Sequence, residues 1–173
     1  MSISQLPTET TPQLGRYTVD PAASSITFRT RHMFGIAPVR GHFSIRAGVV
    51  DVNEPIAESS VRIEADAATF RTLNPMRDGV VRSVKFLDVE RFPLIVFVST
   101  GLAGTALAGE LTAHGVTRPV TFEIKPGSVD VASDSFTAKA AARIDRTEFG
   151  VTGSPGMAGR YLNVVVKVRC VKR

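Results

Sequence analysis

Ser24-Ser25-Ile26-Thr27-Phe28-Arg29-Thr30-Arg31-His32 places Ile26, Phe28, Thr30 and His32 on one side of an extended chain and Ser25, Thr27, Arg29 and Arg31 on the other. Successive strand side chains point to opposite faces, so this period of two marks a strand with one buried row. The pattern recurs outward from this stretch. Val39, Gly41, Phe43 and Ile45 oppose Arg40, His42, Ser44 and Arg46, and Val61, Ile63 and Ala65 oppose Arg62, Glu64 and Asp66. Further rows are Leu107-Gly109-Leu111-Ala113, Val120-Phe122-Ile124, Phe136-Ala138-Ala140-Ala142-Ile144 and Leu162-Val164-Val166-Val168-Cys170. With Leu94 to Ser99, about eight strands result, a number that closes into a ligand-sized barrel. The expected fold class is therefore all-β, an antiparallel barrel.

Turn residues cluster between the rows, as in Asp51-Val52-Asn53-Glu54-Pro55 and Gly153-Ser154-Pro155-Gly156. One segment departs from alternation. Val80, Val81, Val84 and Leu87 stand at helical offsets between Met76 and Phe92, before Pro93. This predicts a short helical insert at about 76–92, one or two helices lying against the barrel. Leu94-Ile95-Val96-Phe97-Val98 and Val164-Val165-Val166 are apolar on both faces. Their outer sides call for a cover, either that helix or a second subunit, so a homodimer is expected.

The chain of 173 residues, 43% hydrophobic and 21% charged, suits one folded domain and excludes wholesale disorder. Residues 1–15 are expected as a disordered lead and 16–173 as the barrel domain. The lead has no basic segment followed by an apolar one, which gives a cytoplasmic expectation. A net charge of +5 favours anionic partners, an anionic membrane surface or nucleic acid. Single-strand nucleic-acid binders interleave aromatic and basic residues on an exposed face. Here Phe28, Phe43, Phe122 and Phe136 share the inward phase and the arginines lie opposite, which disfavours nucleic acid.

The inward rows combine those phenylalanines with Gly41, Ala65, Gly109, Ala113, Ala138, Ala140 and Ala142. Small residues with aromatic walls describe an apolar ligand cavity, and equally a filled core of small and large partners. A long hydrocarbon would suit the first alternative, at roughly 0.8 kcal/mol per buried CH₂.

The order of short motifs carries a resemblance. Tyr17-Thr18-Val19-Asp20 precedes Ser24-Ser25-Ile26-Thr27-Phe28; Arg31-His32-Met33-Phe34-Gly35 leads into Val39-Arg40-Gly41-His42-Phe43. Arg77-Asp78, Arg82-Ser83, Phe86-Leu87-Asp88-Val89 and Phe92-Pro93 follow, then Gly109-Glu110-Leu111-Thr112 and His114-Gly115-Val116-Thr117-Arg118-Pro119-Val120, and finally Arg146-Thr147-Glu148-Phe149-Gly150. From Tyr17 to about Val171 the chain resembles the YceI-like, polyisoprenoid-binding family. The resemblance implies a lipocalin-like barrel whose apolar tunnel holds an isoprenoid lipid, a polyprenyl phosphate or an isoprenoid quinone, as a carrier without catalysis. Another fatty amphiphile is the alternative ligand, and a basic nucleic-acid-binding barrel the alternative function. Two histidines common in the family are replaced here by Ala23 and Val80, so no headgroup or metal role attached to them carries over.

The expected ligand contacts are Phe28, His32, Phe34, Phe43, Ile63, Met76, Arg77, Phe86, Leu111, Phe122 and Phe136. His32 ends an inward row, where it is either a headgroup contact or a core histidine. His114 reads as a turn residue and His42 as a surface one. Arg77 is either a headgroup contact or half of an internal ion pair, with Asp78 stabilising the helix start. Gly153, Gly156 and Gly159 read as a flexible loop over the tunnel. The three histidines lack metal-ligand spacing, and Cys170 has no polar activator beside it, so neither a metal, a cofactor nor a catalytic residue is expected. An enzyme built on His32 would need a second polar group converging on the same point, and no inward row supplies one.

Overall fold

The computed structural model describes residues 11–173. Its strands are β1 (Gly15–Val19), β2 (Ser25–His32), β3 (Ala37–Val52), β4 (Ser60–Arg71), β5 (Leu94–Ala103), β6 (Ala106–Ala113), β7 (Val116–Ile124), β8 (Asp130–Val131), β9 (Ser135–Asp145) and β10 (Tyr161–Lys172), with one α-helix, α1 (Pro75–Arg82). Neighbours pair antiparallel in the order β2-β3-β4-β5-β6-β7-β9-β10, and β10 returns to β2, closing an eight-stranded barrel. β8 is a short addition on β9.

The first stave is made in two pieces. Val19 of β1 faces Cys170 of β10, and Val166 of β10 faces Ile26 of β2, so β1 and β2 succeed one another between β10 and β3. Asp20 and the turn Pro21–Ala23 separate them, with Asp20 accepting from the Ala22 N–H. Tyr17, Val19 and Cys170 are almost completely enclosed there, beside Ile45, Val50, Val52 and Phe136. The expected lead thus overlaps β1 at Gly15. Gln13 is held as well, by the Tyr17 hydroxyl donating to its carbonyl oxygen and by Lys172 Nζ donating to its side chain. The first ten residues of that lead lie outside the described residues.

Register shifts break strict alternation at three places, one of them on β5 between Ser99 and Gly101, and the two between β3 and β4 shape the interior. On β3, Arg46 and Ala47 both face solvent across a register shift. The buried row therefore moves from Val39, Gly41 and Ile45 to Gly48, Val50 and Val52, as a bulge requires. On β4, His42 faces Arg71 while Ser44 faces Asp66. The extra residues form a loop held by Asp66, whose side chain accepts from the Ala68 N–H and whose carbonyl accepts from the Thr69 hydroxyl. That loop turns Phe70 inward, where it stacks on Phe28 at 5.3 Å and meets Phe43 at 5.5 Å.

The regular helix is shorter than the predicted insert. Asn74 caps it by accepting from the Arg77 N–H, Pro75 opens it, and it ends at Ser83. Residues 83–92 continue as turns, with Asp88 in the left-handed region at φ 47°. The helical offsets of Val84 and Leu87 are a by-product of those turns. Nor does α1 cover β5: it sits across the end of the barrel, where Val80 and Val81 face the interior. The outer row of β5 is flanked by charge instead, Val98 lying between Arg62 and Glu110.

Candidate functional site

The barrel interior is hollow. A cavity of about 1210 Å³ runs along it, larger than the roughly 300–1,000 Å³ of ordinary small-molecule pockets. Every stave contributes wall. Ile26 and Phe28 come from β2, Ile63 and Phe70 from β4, Phe97 from β5, Leu111 from β6, Phe122 from β7, and Leu162, Val164, Val166 and Val168 from β10. The β10 row alone runs about 20 Å along its strand. Two aromatic groups stiffen the wall: the Phe28–Phe43–Phe70 trio, and Phe97 edge-on to Phe122 at 5.0 Å.

Not every small inward residue creates space. Phe28 lies directly on Gly41, where a β-carbon would also come within 2.6 Å of the Arg71 carbonyl oxygen. Phe97 lies on Gly109 in the same way, 2.5 Å from the position of such a carbon. These glycines admit a neighbouring ring and are filled sites. Ala142 packs into the wall cluster without reaching the cavity. Ala65, Ala113, Ala138 and Ala140 do line it, and these four provide the width.

Ten of the eleven expected contacts lie on this cavity: Phe28, His32, Phe43, Ile63, Met76, Arg77, Phe86, Leu111, Phe122 and Phe136. Phe34 does not. It stands 79% exposed on the turn between β2 and β3, outside the wall. The strand ends at His32 and the next residues take left-handed backbone, which carries the chain out of the inward row before Phe34.

The end carrying α1, here the helix rim, holds His32, Asn74 and Arg77 on the lining. Among the described residues the guanidinium of Arg77 and the ring of His32 have no side-chain hydrogen-bond partner, so the ion pair expected for Arg77 is not formed. Asp78 is buried and turned away from the cavity. Its carboxylate accepts from the N–H and hydroxyl of Thr72 and fixes the exit of β4. Both β4 and α1 are thereby tied together just behind the free cation.

Sequence reasoning missed Arg146, Phe70 and Phe97. Arg146 is buried, and its guanidinium donates to the carbonyl oxygens of Gly159, Val151, Gly153 and Ala158. Burial pushes its pKa below the ordinary arginine value, with nearby Asp145 acting in the opposite direction. The cation also stands 5.5 Å from the Phe86 ring. The expected flexible loop of Gly153, Gly156 and Gly159 is thus wrapped around a buried cation.

The remaining polar candidates are structural. His114 and Gly115 form the two-residue turn joining β6 to β7, with φ 53° and 71°, and the His114 ring is hydrogen bonded to the Phe149 carbonyl. His42 accepts from Arg71 Nε on the outer face. Cys170 is enclosed, and burial pushes its thiol pKa up to about 12.

Comparison with known proteins agrees with this architecture. The YceI-like domain family matches residues 17–170. A UPF0312 protein of Pseudomonas putida is 30% identical over 66% of this chain, and the match spans 64% of that relative's length. A UPF0312 protein of Vibrio campbellii is 28% identical over 91% of this chain and 87% of its own. Among solved structures, BcnA of Burkholderia cenocepacia superposes with a TM-score of 0.74 at 21% identity, covering 87% of this chain and 98% of that one. A polyisoprenoid binding domain from Saccharophagus degradans gives 0.71 at 11% identity, covering 93% and 100%. With a family match running from β1 to the enclosed Cys170 of β10, and the same closed barrel in both solved structures, this chain belongs to the YceI-like domain family.

Proposed function

We propose that this protein is a non-enzymatic carrier that binds a long isoprenoid amphiphile, a polyprenyl phosphate or an isoprenoid quinone, along the barrel axis. The observation that carries the reading is the cavity of about 1210 Å³ walled by apolar side chains from all eight staves. Each buried CH₂ contributes about 0.8 kcal/mol, so a tail of several isoprene units binds with almost no polar contact. Arg77 and His32 at the helix rim meet the polar head, Arg77 as the free cation for a phosphate or a quinone oxygen. The polyisoprenoid binding domain of Saccharophagus degradans, sharing the fold, supports the ligand class.

Organic extraction and mass spectrometry of the purified protein should release a long-chain amphiphile, and emptied protein should take up geranylgeraniol with a one-to-one stoichiometry. Protein that releases nothing and stays unloaded with saturating geranylgeraniol overturns the proposal.

A further inference from the structure

Among the described residues, nine of the thirteen exposed large hydrophobic side chains lie at the helix rim. The most prominent are Phe34 and Ile36 on the β2–β3 turn, Leu73 and Met76 at the start of α1, and Val84 just beyond it, each at least 73% exposed. Exposed apolar residues scattered singly need no account, but a ring of them around one opening does. The turn also holds its apolar residues outward against local preference. Met33 and Phe34 take φ of 53° and 58°, a region that side chains larger than glycine or asparagine rarely enter. Their backbone N–H groups are tied down onto the carbonyls of Met157 and Gly156, which fixes the conformation.

The charges around this ring are equally uneven. Arg29 and Arg40 sit directly opposite each other on β2 and β3, a like-charge pairing that destabilises a sheet. Arg31, Arg77 and Lys85 stand in the same region, and among the described residues none of these five has a carboxylate partner. Glu90 and Glu148 are exposed acids of this end, whereas at the opposite rim Asp51, Glu54, Glu58, Asp130 and Asp134 stand among Arg16, Lys125, Lys172 and Arg173, with Asp51 already paired to Arg16. An apolar ring inside a basic collar, on one end of an elongated barrel, matches an interface with anionic headgroups outside and hydrocarbon within.

We infer that the helix rim is a docking surface for an anionic lipid bilayer, with Phe34 and Ile36 inserting and the arginine collar lying on the headgroups. This inference rests on the carrier reading for its purpose, since docking sets the cavity mouth against the lipid reservoir. The two inserting residues are separate from the ligand site, because neither Phe34 nor Ile36 lines the cavity.

The test is co-sedimentation of the intact protein with vesicles of phosphatidylcholine alone or of equal parts phosphatidylcholine and phosphatidylglycerol. Pelleting is expected with the anionic vesicles only, falling as salt rises. Replacing Phe34 and Ile36 together by serine should weaken vesicle binding by at least about tenfold. Arg29→Ser should weaken it about fivefold at low salt. Leu14→Ser, exposed at the other rim, should change nothing. Geranylgeraniol uptake in solution should be unchanged in the Phe34/Ile36 variant, which also reports that it is folded. Wild-type protein that remains in the supernatant with anionic vesicles, or a Phe34/Ile36 variant that pellets like wild type, overturns docking. Protein that docks but never loads geranylgeraniol overturns the carrier reading and leaves docking in place.

Discussion

Gly41 and Gly109 show how much a single missing β-carbon controls in this interior. Each gives its place to a phenylalanine ring from the neighbouring strand, and a methyl group added there meets both that ring and a backbone carbonyl. Backbone cannot yield as a flexible side chain can, so Gly41→Ala and Gly109→Ala should each destabilise the barrel by about 1–3 kcal/mol, read by denaturant unfolding. A change below about 0.5 kcal/mol would mean that the rings move aside freely. Cys170 is informative in a different way. Its thiol is enclosed and pushed up to about 12 by burial, so the reactive thiolate is scarce at neutral pH. The native protein should resist thiol reagents and react with one equivalent only on unfolding. At this scale the sequence was legible where a residue sits in an unbroken row, as Phe28, Phe122 and Cys170 do. It was not legible at Gly41, where smallness reads as space, because the ring filling that space belongs to another strand.

The elements were legible wherever period two holds for a whole strand, and β2, β9 and β10 lie where alternation puts them. The bulges of β3 and β4 were hidden because the hydrogen bonds that stabilise them, from Ser44 to Thr69 and from Ala68 to Asp66, join residues no periodicity connects. The loop between β9 and β10 was hidden for a related reason: glycine-rich composition suggests freedom, whereas Arg146 gathers four of its carbonyls. A lysine has no planar fork to reach several carbonyls at once. Arg146→Lys should cost about 3 kcal/mol in unfolding free energy. Hydrogen exchange should quicken at the Met33 and Phe34 amides, because their acceptors, Met157 and Gly156, lie on the loop that Arg146 holds. Exchange that quickens only within residues 150–160 would show that the loop is not coupled to the β2–β3 turn.

For the whole molecule, the quantity that matters is the width left along the axis by Ala65, Ala113, Ala138 and Ala140. Ala140→Phe adds a ring to open space, so the melting temperature should hold or rise while geranylgeraniol uptake falls at least about tenfold. A variant that loads normally would place the guest elsewhere. The closed barrel itself was legible, since the number of alternating rows and their continuous inward phase leave few other architectures. The family resemblance supplied the ligand class that the rows alone could not choose. Which end carries exposed apolar residues was not legible, because Phe34, Leu73 and Val84 look like core in a one-dimensional pattern and become surface only through the turns they occupy.

The two-piece first stave has a consequence for how the chain is made. β10 supplies the partner of β1, of β2 and of β9, so the ring is sealed by the segment synthesised after all the others. Closure therefore waits on pairings between segments far apart along the chain, β10 with β1 and β2, and such non-local contacts are the slow ones to form in an all-β fold.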